Sequence, residues 1–182
     1  TSMIIFVICI IAAAVGAVAV LCVLSRRNSE EAKYKGAAAN IYRDKLLKWS
    51  LMNPYQSAEN VLSADDSLFV YIKNAHSKGK HQYVFCVGDK VYIGRGRQDN
   101  QLILSDPLVS EKHCLIYAEN GVACIYDLNS GNGTVIKRGR FDKGFMLNGS
   151  SCVLEDNDEI ILGQSCLKIK IFKVEADLFD QR

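Results

Sequence analysis

Neither sign of charge prevails in this chain: 22 Lys and Arg stand against 20 Asp and Glu, a net of +2. Nothing global therefore proposes nucleic acid as a partner, and any charge logic has to be local. No C-x-x-C pair occurs among the seven cysteines, and seven is odd. The usual zinc spacings are excluded, and a disulfide framework is disfavoured. Cys86, Cys114, Cys124, Cys152 and Cys166 fall in apolar runs that read as strands, so they are expected to be free buried thiols in a reducing compartment. Proline occurs twice against 13 glycines, a turn-rich signature, and threonine occurs only at Thr1 and Thr134. What is abundant is ordinary: 49% hydrophobic and 23% charged residues exclude wholesale disorder. A length of 182 residues suits one domain with an appendage and is too short for two full domains with a linker.

The longest gap in charge runs over 3–24, MIIFVICIIAAAVGAVAVLCVL, which also lacks Asn, Gln and Pro. As a helix it would extend about 33 Å against a hydrocarbon core of about 30 Å, and a transmembrane helix is expected there. A secretory signal peptide is the other reading, but its apolar part is usually shorter and follows basic residues, whereas Arg26 and Arg27 come after this run. By the positive-inside rule that pair predicts a single-pass membrane protein whose C-terminal domain is cytoplasmic. Ala12 with Gly16, and Ala13 with Ala17, offer small residues at i, i+4 that would seat a helix dimer and so a homo-oligomer. An Ala-rich span without a partner explains them equally well.

Residues 25–66 read as a juxtamembrane helix and linker. Asn28 with Glu31 makes a cap signal, and Tyr34, Ala38, Ile41, Tyr42, Leu46 and Trp49 follow near helical spacing. Asn53-Pro54 stops the helix, since the residue before proline resists helical dihedrals. The stretch 57–66 is a short polar connector, and Trp49 and the tyrosines are placed either at a membrane interface or on the domain.

From Ser67 the period changes. SLFVYIKN, QYVFCV, KVYIG, QLILS, HCLIYAE, VACIYDL, CVLE, EIILG and CLKIKIFKV are short apolar or alternating runs separated by Gly, Asn, Asp and Ser clusters. Many short strands at near-regular spacing predict an all-β sandwich or barrel over 67–174, followed by a polar tail at 175–182.

Three loop clusters suit anion binding without suiting catalysis. They are Gly94-Arg95-Gly96-Arg97, Ser110-Glu111-Lys112-His113 and Ser130-Gly131-Asn132-Gly133-Thr134. An Arg between glycines approaches a phosphate with a fork of donors, a Ser hydroxyl donates to another of its oxygens, and an Asn amide both donates to and accepts from a peptide backbone. Together they describe a phosphopeptide clamp. Ser110 and His113 do not read as a catalytic pair, because a three-residue spacing ahead of a strand does not orient them as a triad requires and no third group is identifiable. Gly94-Arg95-Gly96 lacks the third glycine and the helix of a dinucleotide fingerprint.

The order G-R, S-x-x-H, N-G-T, with Leu147-Asn148-Gly149 and IILG at 160–163, resembles the forkhead-associated (FHA) domain over roughly 67–174. The resemblance implies a twisted β-sandwich of about eleven strands whose loops at one end bind phosphothreonine peptides and disfavour phosphoserine. On that likeness Arg95 and Ser110 bind the phosphate, Asn132 holds the peptide main chain, and Gly94, His113, Gly133 and Thr134 support the loops. Gly131 stands where a threonine often adds a phosphate contact, and Glu111 where a neutral or basic residue is common. A carboxylate at 111 repels a bound dianion if it points inward and costs little if it points outward. Arg97 and Lys112, with Lys137, Arg138 and Arg140, offset it or are solvated loop charge.

The function expected is thus a non-enzymatic, membrane-anchored module, without cofactor or metal, that recruits a phosphothreonine-containing protein to the cytoplasmic face of a membrane. With Thr1 across the membrane and Thr134 in a turn, the ligand comes in trans, from a Ser/Thr kinase or its substrate. The alternative is a structural FHA-like building block of a membrane secretion or division assembly with phosphate binding weakened or lost. Such a block is expected to shed Arg, Ser and Asn together, and all three are present.

Overall fold

A computed structural model describes residues 2–54, 63–75, 81–139 and 141–174, with side chains from Val15 onward. The connector at 57–62, His76, Arg140 and the tail at 175–182 lie outside the described residues, as do the side chains of Ala12, Ala13 and the preceding apolar residues.

The chain begins with one helix, α1 (Ser2–Met52). Eleven strands follow: β1 (Leu68–Asn74), β2 (Gln82–Cys86), β3 (Val91–Gly94), β4 (Leu102–Ile103), β5 (Cys114–Glu119), β6 (Val122–Asp127), β7 (Thr134–Lys137), β8 (Phe145–Leu147), β9 (Ser151–Val153), β10 (Glu159–Leu162) and β11 (Ser165–Lys173). They form two sheets, ordered β2-β1-β11-β10-β7-β8 and β4-β3-β5-β6-β9. Among the described strands only the β3–β4 pairing is parallel. The expected sandwich of about eleven strands is what the chain forms. β7 and β8 were not among the expected runs.

Alternation builds the core. On β1, Leu68, Val70 and Ile72 turn inward to join Ile93, Ile116, Ile125, Ile136, Ile160, Leu167 and Ile169 between the sheets. Each such side chain contributes about 1.5–3 kcal/mol by leaving water. The opposite face of β1 carries Phe69, which is fully buried under α1: Ala38 and Tyr42 of the helix cluster with Phe69, Cys86 and Val174. The helical spacing of Ala38, Ile41, Tyr42 and Leu46 therefore marks a face packed on the sandwich. Lys45, on the same face, bonds Asp66 at 2.9 Å and Asp89 at 2.7 Å. Those two bonds outweigh the cost of its burial and hold the ammonium well above the usual lysine range.

The N-terminal part of the chain corrects the sequence reading. Among the described residues no helix is long and apolar enough to cross a membrane. The uncharged run does not stand as an element of its own but continues without a break into Arg26, Arg27, Glu30 and Glu31 of the same helix. The transmembrane helix at 3–24, its role as a membrane partner, and the single-pass localisation with a cytoplasmic C-terminal domain are overturned by this finding. Nor does a separate juxtamembrane helix start at Asn28: with no Gly or Pro between Leu24 and Asn28 nothing breaks α1, and Asn28 is an interior residue. The stop at Asn53-Pro54 holds, with the Asn53 N–H and Nδ2 both donating to the Trp49 carbonyl, at 3.0 and 3.1 Å. Residues 1–36 and 37–182 are separate compact units, the second containing the end of α1 and both sheets.

Candidate functional site

The three loop clusters meet on one short rail of backbone, residues 108–111, where four successive carbonyls are each claimed by a residue of the predicted site or its support. Leu108 O accepts from Asn132 Nδ2 at 2.8 Å. Val109 O accepts from Arg95 Nε at 3.2 Å, and Ser110 O from the Arg95 N–H at 2.9 Å. Glu111 O accepts from the Gly96 N–H at 3.0 Å and from Asn100 Nδ2 at 2.7 Å. Glycine is required at 94 because a Cβ there would collide with that same Glu111 carbonyl. The rail explains why Arg95 stands between glycines: its backbone and its Nε are fixed from one side, and the side chain as a whole stays exposed.

Ser110 is set by a second group of contacts. Its backbone N–H donates to His113 Nδ1 at 3.0 Å, so the ring proton sits on Nε2, which donates to Gly133 O at 3.2 Å. His113 is fully buried and ties the β4–β5 loop to the β6–β7 loop. Across the same gap the Gly131 N–H donates to Ser110 Oγ at 3.0 Å. With its lone pair engaged, the hydroxyl hydrogen is left to donate outward. Asn132 is exposed, and one amide N–H is spent on Leu108 O. Its carbonyl oxygen and second N–H have no partner among the described residues.

Gly133 has φ +72° and lies against the Met146 side chain and the Leu147 carbonyl, so no other residue fits without strain. Thr134 is fully buried and points away from the loops' outer surface: its hydroxyl donates to Asp127 Oδ1 at 2.7 Å. Asp127, a residue that sequence reasoning missed, also accepts from Ser130 Oγ at 2.6 Å, the Ser130 N–H at 3.1 Å and the Gly149 N–H at 2.9 Å. Burial alone would raise its pKa, but the four donors outweigh burial and hold the carboxyl below the usual range. The signal was in the spacing Asp127, Ser130, Thr134, an acid followed by hydroxyls at a strand end.

Two further supports were missed. Asp106 accepts from the Leu108 N–H at 3.0 Å, the Gln164 N–H at 2.7 Å and Ser165 Oγ at 3.1 Å, which pins the start of the rail to the β10–β11 turn. Burial opposes its ionisation and the hydrogen bonds override it, so its pKa is lowered. Asn100 links Gly96 O and Glu111 O through one amide nitrogen.

The auxiliary residues lie to one side. Arg97, Glu111 and Lys112 line a cleft with Gly96, Gln98, Asp99 and Asn100. Lys112 is paired to Asp99 at 2.9 Å, so it is not a free counter-charge for Glu111. Gly131 leaves open space, its nearest neighbour being Ser110 Oγ at 3.9 Å from a Cβ. Arg138 belongs elsewhere, donating to Val153 O at 2.7 Å and pairing with Glu155 at 2.9 Å. Among the described residues the one cluster of metal-type ligands is Asp66, Cys86 and Asp89, and the Lys45 ammonium bonds all three. That ammonium already supplies the positive charge a metal would bring.

The sequence model of the FHA domain matches residues 91–163, a span containing every residue of the rail and its three loops. Among solved structures, the FHA domain of an Arabidopsis thaliana hypothetical protein is 25% identical with a TM-score of 0.51, covering 66% of this chain and 97% of that one. A structure from a study of phosphothreonine-dependent FHA domain interactions is 30% identical with a TM-score of 0.48, covering 58% of this chain and 99% of that one. An FHA domain from Chlamydia trachomatis is 21% identical with a TM-score of 0.49, covering 56% and 96%. No curated protein matches significantly. The family's sequence model, matched through all three loops, shows that residues 91–163 of this chain are an FHA domain.

Proposed function

We propose that the sandwich over 67–174 is a phosphothreonine-peptide-binding module, with Arg95 and Ser110 as phosphate ligands and Asn132 as the peptide main-chain ligand. The observation that carries this reading is the rail at 108–111. Arg95, Ser110 and Asn132 come from three loops, yet each is anchored within these few residues while keeping a donor to spare. A guanidinium and a hydroxyl held beside one another match a phosphate dianion, each charge-assisted bond being worth about 1.5–3 kcal/mol. An amide with a free donor and a free acceptor matches the main chain on either side of the phosphorylated residue.

Gly94, His113, Gly133 and Thr134 act as supports and do not touch the ligand, the first by allowing close approach and the others by fixing the loops. The partner is a phosphothreonine-containing protein supplied in trans, a Ser/Thr kinase or a substrate of one, and the module recruits it without chemistry of its own. Retention of all three ligands, together with their supports, favours this over a building block that has lost phosphate binding.

The test is calorimetric titration of the full chain with a degenerate phosphothreonine peptide library and its phosphoserine and unphosphorylated counterparts. Binding confined to the phosphothreonine library, and lost in Arg95→Ala, supports the reading. Equal binding of the unphosphorylated library overturns it.

A further inference from the structure

Strand register places an apolar strip on the outer face of the six-stranded sheet, at the end nearest the clamp. Met146 pairs with Val135, Val135 with Ile161, and Ile161 with Cys166, so these four side chains form one row across β8, β7, β10 and β11. Their neighbours along each strand, Leu147, Ile136, Ile160 and Leu167, face the buried core. Val135, Ile161 and Cys166 are half-buried, Met146 is 61% exposed, and none of the four belongs to either apolar cluster. The part of α1 in the same unit, from Ala38 on, packs on the far end of this face, over Phe69, Phe172 and Cys86. The strip runs directly up to the clamp: a Cβ on Gly133 would lie 2.9 Å from Met146 Cγ and Sδ, so Met146 rests against the Asn132-Gly133 turn.

The next row outward from the clamp is cationic. Lys73, Lys168, Glu159 and Lys137 are successive cross-strand partners, three lysines to one acid. Lys73 stands directly opposite Lys168, a like-charge pairing that weakens a sheet. Glu159 bonds Lys168 at 2.8 Å and is the one acid in the row. A surface with an apolar strip and then a basic row is complementary to a segment bearing an apolar residue followed by acidic ones.

We infer that this outer face is a second docking surface for the phosphorylated partner, binding an apolar-acidic segment that flanks its phosphothreonine. The inference rests on the clamp reading above. The clamp then reads the phosphate, and the sheet face reads the sequence around it. Tethering through the phosphate makes the second contact intramolecular, so even a weak segment adds affinity.

The experiment titrates the full chain with a short phosphothreonine peptide in neutral flanks, and with the same peptide extended on either side by two leucines followed by a run of Asp and Glu. An unphosphorylated extended peptide is the control. At least one extended peptide is expected to bind about tenfold more tightly than the short one, with the gain shrinking at high salt. Ile161→Glu, and separately Lys73→Glu/Lys168→Glu, should remove that gain while leaving the short peptide's affinity unchanged; the lysine variant alters only half-exposed and exposed groups and guards against misfolding of the first. If the short peptide binds and neither extension improves it, or if both variants keep the full gain, the docking surface is overturned and the clamp stands. If no phosphopeptide binds but the unphosphorylated extension does, in a manner the variants abolish, the surface stands and the clamp falls. Absence of all binding overturns both.

Discussion

The Gly131 N–H donates to Ser110 Oγ at 3.0 Å, and this bond, with those of His113 to Gly133 and Asn132 to Leu108, joins the two loops that flank the site. It orients the serine hydroxyl by occupying its lone pair, and it consumes a backbone donor that would otherwise be open to an anion. Under the proposed function, phosphate recognition concentrates on Arg95 and the Ser110 hydroxyl, with Gly131 as a positioning group. Consequences follow for each of the three residues.

Ser110→Ala removes the hydroxyl donor and leaves the Gly131 N–H exposed at the loop surface, where water satisfies it. Folding should be little changed, since surface losses of this kind stay within about 0.5 kcal/mol. Phosphopeptide affinity should fall by about tenfold or more, in line with loss of a charge-assisted bond. Titration of the folded variant with an unchanged Kd would remove Ser110 from the site.

Arg95→Lys separates charge from geometry. The lysine keeps the positive charge but has no Nε to bond Val109 O and no planar fork to present. It should bind phosphopeptide at least about tenfold more weakly than the wild type, and Arg95→Ala should bind none measurably. Full affinity in the lysine variant would mean that Arg95 acts only as diffuse charge.

Gly131→Thr is expected to gain function. The position has room, the nearest atom lying 3.9 Å from a Cβ, and its backbone is not in the left-handed region. A hydroxyl there adds one donor toward the phosphate and should tighten phosphothreonine-peptide binding by a few-fold, worth about 1 kcal/mol. A weaker Kd with unchanged melting temperature would show that the loop cannot accept a side chain in the bound state.

The sandwich was legible because most strands carry clean alternation and are bounded by Gly and Asn. β7 and β8 were not: Thr134, the first residue of β7, belongs to the turn motif 130–134 and leaves only three further residues of strand, and Phe145–Leu147 is only three residues long. Arg95, Ser110 and Asn132 were legible as residue types suited to an anion, but the rail that anchors them was not, since it is made of backbone carbonyls that carry no side-chain signal. An acid at a strand end or before proline looks solvated; the spacing to Ser130 and Thr134 hints at the local donors of Asp127, but tertiary contact is what shows Asp127 and Asp106 to be buried and bonded on both oxygens. At the N-terminus hydropathy alone suggests a span, whereas the run is one stretch of a continuous helix that carries Arg26, Arg27, Glu30 and Glu31.

His113→Ala should affect stability and binding together. The ring is fully buried and bridges Ser110 to Gly133, so its loss opens a cavity and frees a buried N–H and a buried carbonyl. Destabilisation of about 2–4 kcal/mol is expected, with a loss of phosphopeptide affinity even at temperatures where the variant is folded. Normal affinity in the folded variant would show that the loops hold their places without the histidine.

Asp127 makes the site's support sensitive to acid. Its carboxyl lies below the usual value when folded, because four donors outweigh the cost of burial. A group depressed on folding contributes stability that is present above its unfolded value of about 4 and is lost as pH falls through the folded value. Asp127→Asn should therefore destabilise the sandwich by about 2–4 kcal/mol at neutral pH, since an amide cannot accept at both positions. The gap between variant and wild type should begin to narrow as pH falls below about 4 and close as it passes through the depressed folded value, where the wild-type carboxylate takes up its proton and loses the same bonds. Asp106, depressed in the same direction, keeps its own contribution in both proteins and does not alter the difference. Denaturant midpoints for the two proteins, measured at stepped pH values from neutral to strongly acidic, give the answer directly. A constant gap across the whole range would mean that the bonds around Asp127 do not depend on its charge.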